Sequence, residues 1–197
     1  MTCSGCTENG VPVCAGKIRY VPPVWDDART PATGTNIGGA NDPAFSKLLD
    51  NGAGSTGIFT YQFPSGQDRE LFFWVQLTHR WMEGTILKPH IHWAPVDAGA
   101  GDVVWGMEYT KATPLTVLPN STIITVTQST DTTALKHQIA VLPDIAAAGD
   151  KISTMLGCRL YREGTAGADT YGNGAALLEV DFHIMLNTPG SVQEYIK

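Results

Sequence analysis

The chain has 197 residues, 43% of them hydrophobic and only 16% charged, with a net charge of −6 and a sequence pI near 5.2. That length suits one β-sandwich domain plus an arm and is enough to bury a sizeable core. An acidic chain with no run of Lys and Arg lacks the clustered positive surface that phosphates require, which excludes a general nucleic-acid binder. Its apolar runs fall short of the roughly 20 residues of a membrane-spanning helix.

The segment Met1 to Gly10 is polar and has no charged region followed by an apolar one, so no signal peptide is expected and synthesis in a cytoplasm is. Cys3, Cys6 and Cys14 crowd the first fourteen residues. One CxxC pair is half of a zinc ribbon. Two readings stay open for these thiols: a metal or disulfide staple on the arm, or free thiols in a loose terminus.

Residues 1–55 are punctuated by Gly, Pro, Asn, Asp and Thr, as in RYVPPVWDDARTPATGTNIGGANDP. Such a stretch argues against a long helix or a central strand. It also carries Tyr20, Trp25 and Phe45, aromatics that a disordered linker would lack. The segment reads as an extended arm that anchors through those side chains on its own domain or on a neighbouring subunit. The run PAFSKLLDN within it predicts one or two helical turns, started near Asp42 and Pro43 and stopped at Asn51-Gly52.

Residues 56–197 read as the folded domain. Strand signals recur over 57–63, 70–77, 87–93, 103–110, 122–127, 135–142, 151–162 and 176–187, with turn clusters between them. In LEVDFHIML, Leu178, Val180, Phe182, Ile184 and Leu186 fall on one face, and Glu179, Asp181 and His183 on the other, expected to be solvent or an interface. The run LFFWVQL is apolar on both faces, as in a central or covered strand. Cys158 lies in an apolar run and is expected to be a small core hydrophobe. About eight antiparallel strands with no long helical period predict an all-β, jelly-roll-like sandwich.

The sharpest local feature is GTILKPHIHW, which places His90 and His92 on one side of a strand. Two imidazoles on one face are half of a metal site, completed by a carboxylate or a third histidine. The competing reading is structural: both rings bond neighbours across the sheet or line a subunit interface. The run from Gly84 to His92 resembles the first motif of the cupin family, jelly rolls of which many bind a metal. That resemblance implies a cupin-like metal-binding protein or enzyme. Asp97 stands at best where the family has Glu, and His137 or His183 would supply a late ligand.

No other motif carries chemistry. There is no GxSxG elbow, and GAGSTG at 52–57 lacks the lysine and the following helix of a phosphate loop. The aromatics Phe72, Phe73, Trp74, Trp81, Trp93 and Trp105 cluster between residues 72 and 105. They predict a core or subunit interface, the alternative being an exposed tryptophan platform for carbohydrate.

The runs NGAGSTGIFTYQF, LFFWVQLTHRWMEG, KPHIHW, VVWGMEY, LKHQIA and LLEVDFHIMLNTPGSVQEYIK together resemble tailed-bacteriophage virion proteins, from about residue 25 onward. The resemblance implies a structural part and no enzyme. That part is a capsid decoration or cement protein docking through its arm on the major capsid protein or other virion proteins, or a collar, tail or head-fibre accessory; an exposed tryptophan platform would make a tail or head-fibre part a glycan-binding module. The resemblance also implies self-association, as in a homotrimer, which would protect sheet edges.

Overall fold

The structure, a computed structural model, describes residues 7–8, 11–12, 19–194 and 196–197. Two short strands, β1 (Thr7–Glu8) and β2 (Val11–Pro12), pair with each other. Then come β3 (Val24–Pro31), β4 (Ala44–Leu49), β5 (Ile58–Phe63), β6 (Asp68–Gln76), β7 (Lys88–Pro95) and β8 (Asp102–Ala112). The last four are β9 (Thr122–Ser129), β10 (Gln138–Val141), β11 (Met155–Glu163) and β12 (Ala175–Leu186). Among the described residues the only helix is one 3-10 turn, Ala32–Gly34, and none is long and apolar enough to cross a membrane.

The chain is an all-β sandwich of two antiparallel sheets. Strands β5 to β12 fall where the strand signals place them. They form the orders β5-β12-β7-β10 and β6-β11-β8-β9, so the chain crosses repeatedly between the sheets. That is a jelly-roll arrangement. The core lies between the sheets. Leu71, Phe73, Trp93, Trp105, Leu160 and Phe182 are all at most 1% exposed within it.

The segment from residue 24 to 49, expected in the arm, supplies two more strands. β3 pairs with β12 from Val24↔Leu186 to Pro31↔Glu179. β4 pairs with β5 and replaces the predicted helical turns of PAFSKLLDN. A six-residue helix would have to nucleate alone, which is unfavourable. The edge of β5 instead offers hydrogen-bond partners along its length. Between these strands the chain runs beside β6: Asn36 N–H donates to Phe72 O at 2.7 Å and Glu70 N–H to Asn41 O at 2.9 Å. β6 is therefore an edge strand of its sheet, not a central one, and its edge is partly covered by this loop.

β12 departs from simple alternation. Its pairing with β7 shifts register between Leu177 and Glu179. The bulge buries Leu177, while Leu178 is only half-buried; Val180, Phe182, Ile184 and Leu186 then face the core as expected. Bulges of this kind insert one residue and re-aim the side chains that follow.

On β11, Leu156, Cys158, Leu160 and Arg162 alternate onto the core face. Arg162 is thus a fully buried cation, and Asp169 beside it is fully buried too. Its Nε donates to Asp169 Oδ2 at 2.9 Å and its Nη2 to Asp169 Oδ1 at 2.6 Å. Nη1 donates to Phe63 O and Asn173 O, and Nη2 also to Tyr171 O. All five guanidinium donors are used. Asp169 Oδ2 further accepts from Val104 N–H at 3.0 Å. Removing one partner of such a pair strands the other charge. Arg162→Met should therefore lower unfolding free energy by about 3–5 kcal/mol in denaturant titrations. Arg162→Lys should not restore it, because an ammonium cannot fill the fork.

Burial pushes the Cys158 thiol up to about 12. The reactive thiolate is then scarce at neutral pH. Iodoacetamide at pH 8 should leave Cys158 unmodified in the folded protein and label it in denaturant, as read by peptide mass spectrometry.

Candidate functional site

The outer face of the four-stranded sheet is built from three cross-strand rows. One row is Trp74, Gly157 and Thr110; the next is Phe72, Arg159, Glu108 and Ile123; the third is Glu70, Tyr161, Gly106 and Thr125. Residues directly opposite on neighbouring strands share a face, so their side chains meet. Two of these rows set a large ring beside a glycine. A Cβ on Gly157 would fall 2.6–2.9 Å from three carbons of the Trp74 ring, and one on Gly106 would collide with the Tyr161 ring. Glycine inside a strand thus lets each ring lie down on the backbone.

Arg159 sits between the rings. Its Nε donates to Glu108 Oε2 at 3.0 Å, its Nη1 donates to Glu70 Oε2, and its guanidinium lies 4.4 Å from the Tyr161 ring centre. Glu108 also accepts from the Ser121 hydroxyl. That bond, then Arg159, holds its carboxyl below the usual carboxylate range. Trp74, by contrast, is 56% exposed. Two hollows flank Arg159 and share it. One of about 280 Å³ is lined by Phe72, Trp74, Glu108 and Gly157. The other, of about 410 Å³, is lined by Glu70, Tyr161, Ile123, Asp68 and Thr165. Together they follow β11 from Gly157 to Glu163, about 20 Å at roughly 3.4 Å per residue.

The six-stranded sheet carries a different cluster on its own outer face. Ile91 and Trp93 fill the core, so His90 and His92 point away from it. In the register, His90 lies opposite Asp181, His92 opposite Glu179, and His183 opposite Asp27. Asp181 is the centre. Its Oδ2 is 3.2 Å from His92 Nε2, and its Oδ1 is 3.5 Å from His90 Nδ1. His183 Nε2 lies 3.3 Å from Asp27 Oδ1 and 3.8 Å from Asp181 Oδ2, and its ring centre is 4.0 Å from that of His90. His92 Nδ1 meets His137 Nε2 at 2.8 Å. Asp181, expected on a solvent face, is 2% exposed, and His90 is 7% exposed. Burial pushes the Asp181 carboxyl up and the His90 imidazole down.

The structure therefore brings together His90, His92, His137 and His183, which the sequence singles out. Asp97 instead lies beyond the end of β7, where its backbone bonds the Tyr171 hydroxyl. Tyr20 packs on the core, with its N–H bonded to Asn187 O at 2.8 Å. Trp25 is half-exposed on β3, opposite Met185. Phe45 is half-exposed on β4, its ring 5.2 Å from that of Tyr61 and 5.9 Å from that of Phe59. Cys3, Cys6 and Cys14 lie outside the described residues. Of the clustered aromatics, Phe73, Trp81, Trp93 and Trp105 are core, and Trp74 is not. Sequence reading missed Arg159, Glu70 and Glu108; the interior glycines Gly106 and Gly157 were the signal that marked their face.

No protein-family model matches the sequence, and no curated protein matches it. Several solved structures are similar in fold. The CBM22-2 xylan-binding domain of Paenibacillus barcinonensis Xyn10C is 14% identical, with 83% of this chain and 91% of that one covered and a TM-score of 0.37. The Clostridium thermocellum xylanase 10B CBM22-1–GH10 modules, complexed with xylohexaose, are 12% identical at a TM-score of 0.36. That match covers 90% of this chain and 29% of the other. Dimeric latent PorU of Porphyromonas gingivalis is 11% identical at a TM-score of 0.38, over 88% of this chain and 14% of PorU. These likenesses concern fold alone.

The ring-on-glycine packing has a direct consequence. Gly106→Ala should force Tyr161 and Arg159 to shift and cost about 1–3 kcal/mol, as overpacking does. A thermal melt of the variant checks it; an unchanged melting temperature would mean that the ring moves freely.

Proposed function

We propose that this protein is a binding module that takes a glycan on the outer face of its four-stranded sheet, as a tail or head-fibre accessory of a phage particle would. The observation that carries the reading is Trp74, 56% exposed and lying over Gly157 at one end of a groove whose middle is Arg159. An aromatic face takes the apolar side of a sugar ring. Fixed charged groups with free lone pairs or N–H groups bond its hydroxyls. Arg159, Glu70 and Glu108 hold one another in place, so they meet a ligand already ordered, which lowers the cost of binding.

The same contacts favour binding over hydrolysis. A glycosidase needs one carboxylic acid with a raised pKa. Of the four carboxylates along the groove, Glu70 and Glu108 face Arg159, Glu108 is held ionised, and Asp68 accepts from the Thr165 N–H and hydroxyl. The virion setting rests on the sequence resemblance and on the use of jelly rolls in capsids and lectins.

A second reading, a capsid decoration or cement protein that self-associates, is favoured by one feature. The outer edge of β4 ends its sheet, and Phe45, Ile58 and Phe59 lie exposed beside it. Such an edge is a template for pairing with another chain.

Calorimetric titration with a panel of neutral and acidic oligosaccharides tests the glycan reading. Trp74→Ala should weaken binding at least tenfold, or about 1.4 kcal/mol, and Arg159→Ala should do likewise. Trp25→Ala should leave it unchanged. No binding by the unmodified protein at millimolar sugar, or a loss that follows Trp25 rather than Trp74, would overturn the assignment.

A further inference from the structure

We propose that His90, Asp181 and His183 form a binding site for one divalent transition-metal ion of the zinc class on the outer face of the six-stranded sheet. This site is separate from the glycan groove and does not depend on it. One ligand atom from each of the three residues falls within a mutual 4.8 Å. His90 Nδ1 and Asp181 Oδ1, 3.5 Å apart, already have nearly the spacing of two ligands on one tetrahedral ion, about 3.3 Å for bonds of 2.0–2.1 Å.

A second observation points to an ion independently of that spacing. His90 Nδ1 and Asp181 Oδ1 are both buried and neither has a hydrogen-bond partner. They belong to residues only 7% and 2% exposed. Buried polar atoms are normally satisfied, and each exception calls for an explanation. The two atoms face each other at 3.5 Å without forming a hydrogen bond. A cation between them answers both.

The surroundings are arranged as metal ligands require. A carboxylate oxygen accepts, so His92 Nε2–H donates to Asp181 Oδ2, and His92 Nδ1 is left to accept from His137 Nε2–H. The bond to Asp181 fixes the carboxylate through Oδ2 and leaves Oδ1 for the ion. Asp27 stands 3.3 Å from His183 Nε2 and adds negative charge. An outer partner such as His92 on Asp181 Oδ2 orients its ligand and strengthens binding. The nearby cations are occupied elsewhere: Lys88 bonds Asp144, and Arg29 bonds Glu179. Two imidazoles and one carboxylate select a first-row transition ion over magnesium or calcium. Because His183 is 40% exposed, the remaining coordination positions open to solvent.

Cobalt(II) is the probe, added to the metal-stripped full chain and followed by visible absorption and calorimetry. One ion per chain should bind, with weak visible bands and no intense thiolate absorption. His183→Gln changes a half-exposed side chain and should keep the fold, which circular dichroism checks; it should weaken binding at least tenfold. Asp181→Asn should do the same. His79→Gln and the triple change Cys3→Ser, Cys6→Ser, Cys14→Ser should each leave the bands and the affinity unchanged. Absence of binding, binding that survives both His183→Gln and Asp181→Asn, or binding that disappears with the cysteines would overturn the proposal.

Discussion

The structure hangs on a buried guanidinium. Arg162 is carried on a core-facing position of β11, where any uncompensated charge would be costly. The fold answers with Asp169 and three carbonyl oxygens, from Phe63 of the opposite sheet and from Tyr171 and Asn173 in the loop before β12. One side chain therefore ties together both sheets and the last long connection. Val104 N–H on β8 closes the set through Asp169. The aromatic core, with Phe63 packed edge-on against Trp105 at 5.2 Å, lies beside this knot. A hydrophobic pair of similar volume could fill the same space, but it would not fix the loop that delivers β12.

With the interior settled in this way, both outer faces are left to carry polar chemistry, and they do so differently. The four-stranded sheet presents rings laid on glycine and an arginine shared by two carboxylates, an open and pre-ordered surface. The six-stranded sheet draws a carboxylate and an imidazole nearly out of solvent. It can do so because His90, Asp181 and their neighbours sit in register on three adjacent strands, β7, β12 and β3. Without β3, Asp27 would not reach His183 and the cluster would be open on one side.

The eight strands from β5 onward were legible because each pairs β-branched or aromatic residues with a turn cluster at either end. β3 and β4 were not. The Pro, Asp and Thr residues of β3 suit an edge as well as a loop, the Ala, Lys and Leu residues of β4 suit a helix as well as a strand, and only the partner strand decides. The histidine pair was legible from its spacing of two. Its partner Asp181 was visible as a position but not as a buried group, because burial depends on neighbours that sequence does not place. The LFFWVQL run pointed to cover on both faces. What it marked was an edge strand whose outward Phe72 and Trp74 line a hollow. Arg159 and its two carboxylates come from three strands and become a unit only in the sheet.

β12 is paired with β7 on one side and with β5 and β3 on the other. Three strands made earlier on the ribosome therefore have no common neighbour until this late one emerges. Until then, β5 and β7 wait with the backbone edges that β12 will pair left open. A topology of this kind delays its reward, folding slowly and leaving sticky edges exposed in the interval. The half-made chain is consequently the form at greatest risk of aggregation, and its yield in a cell should depend on chaperone capacity during synthesis more than on the stability of the finished sandwich.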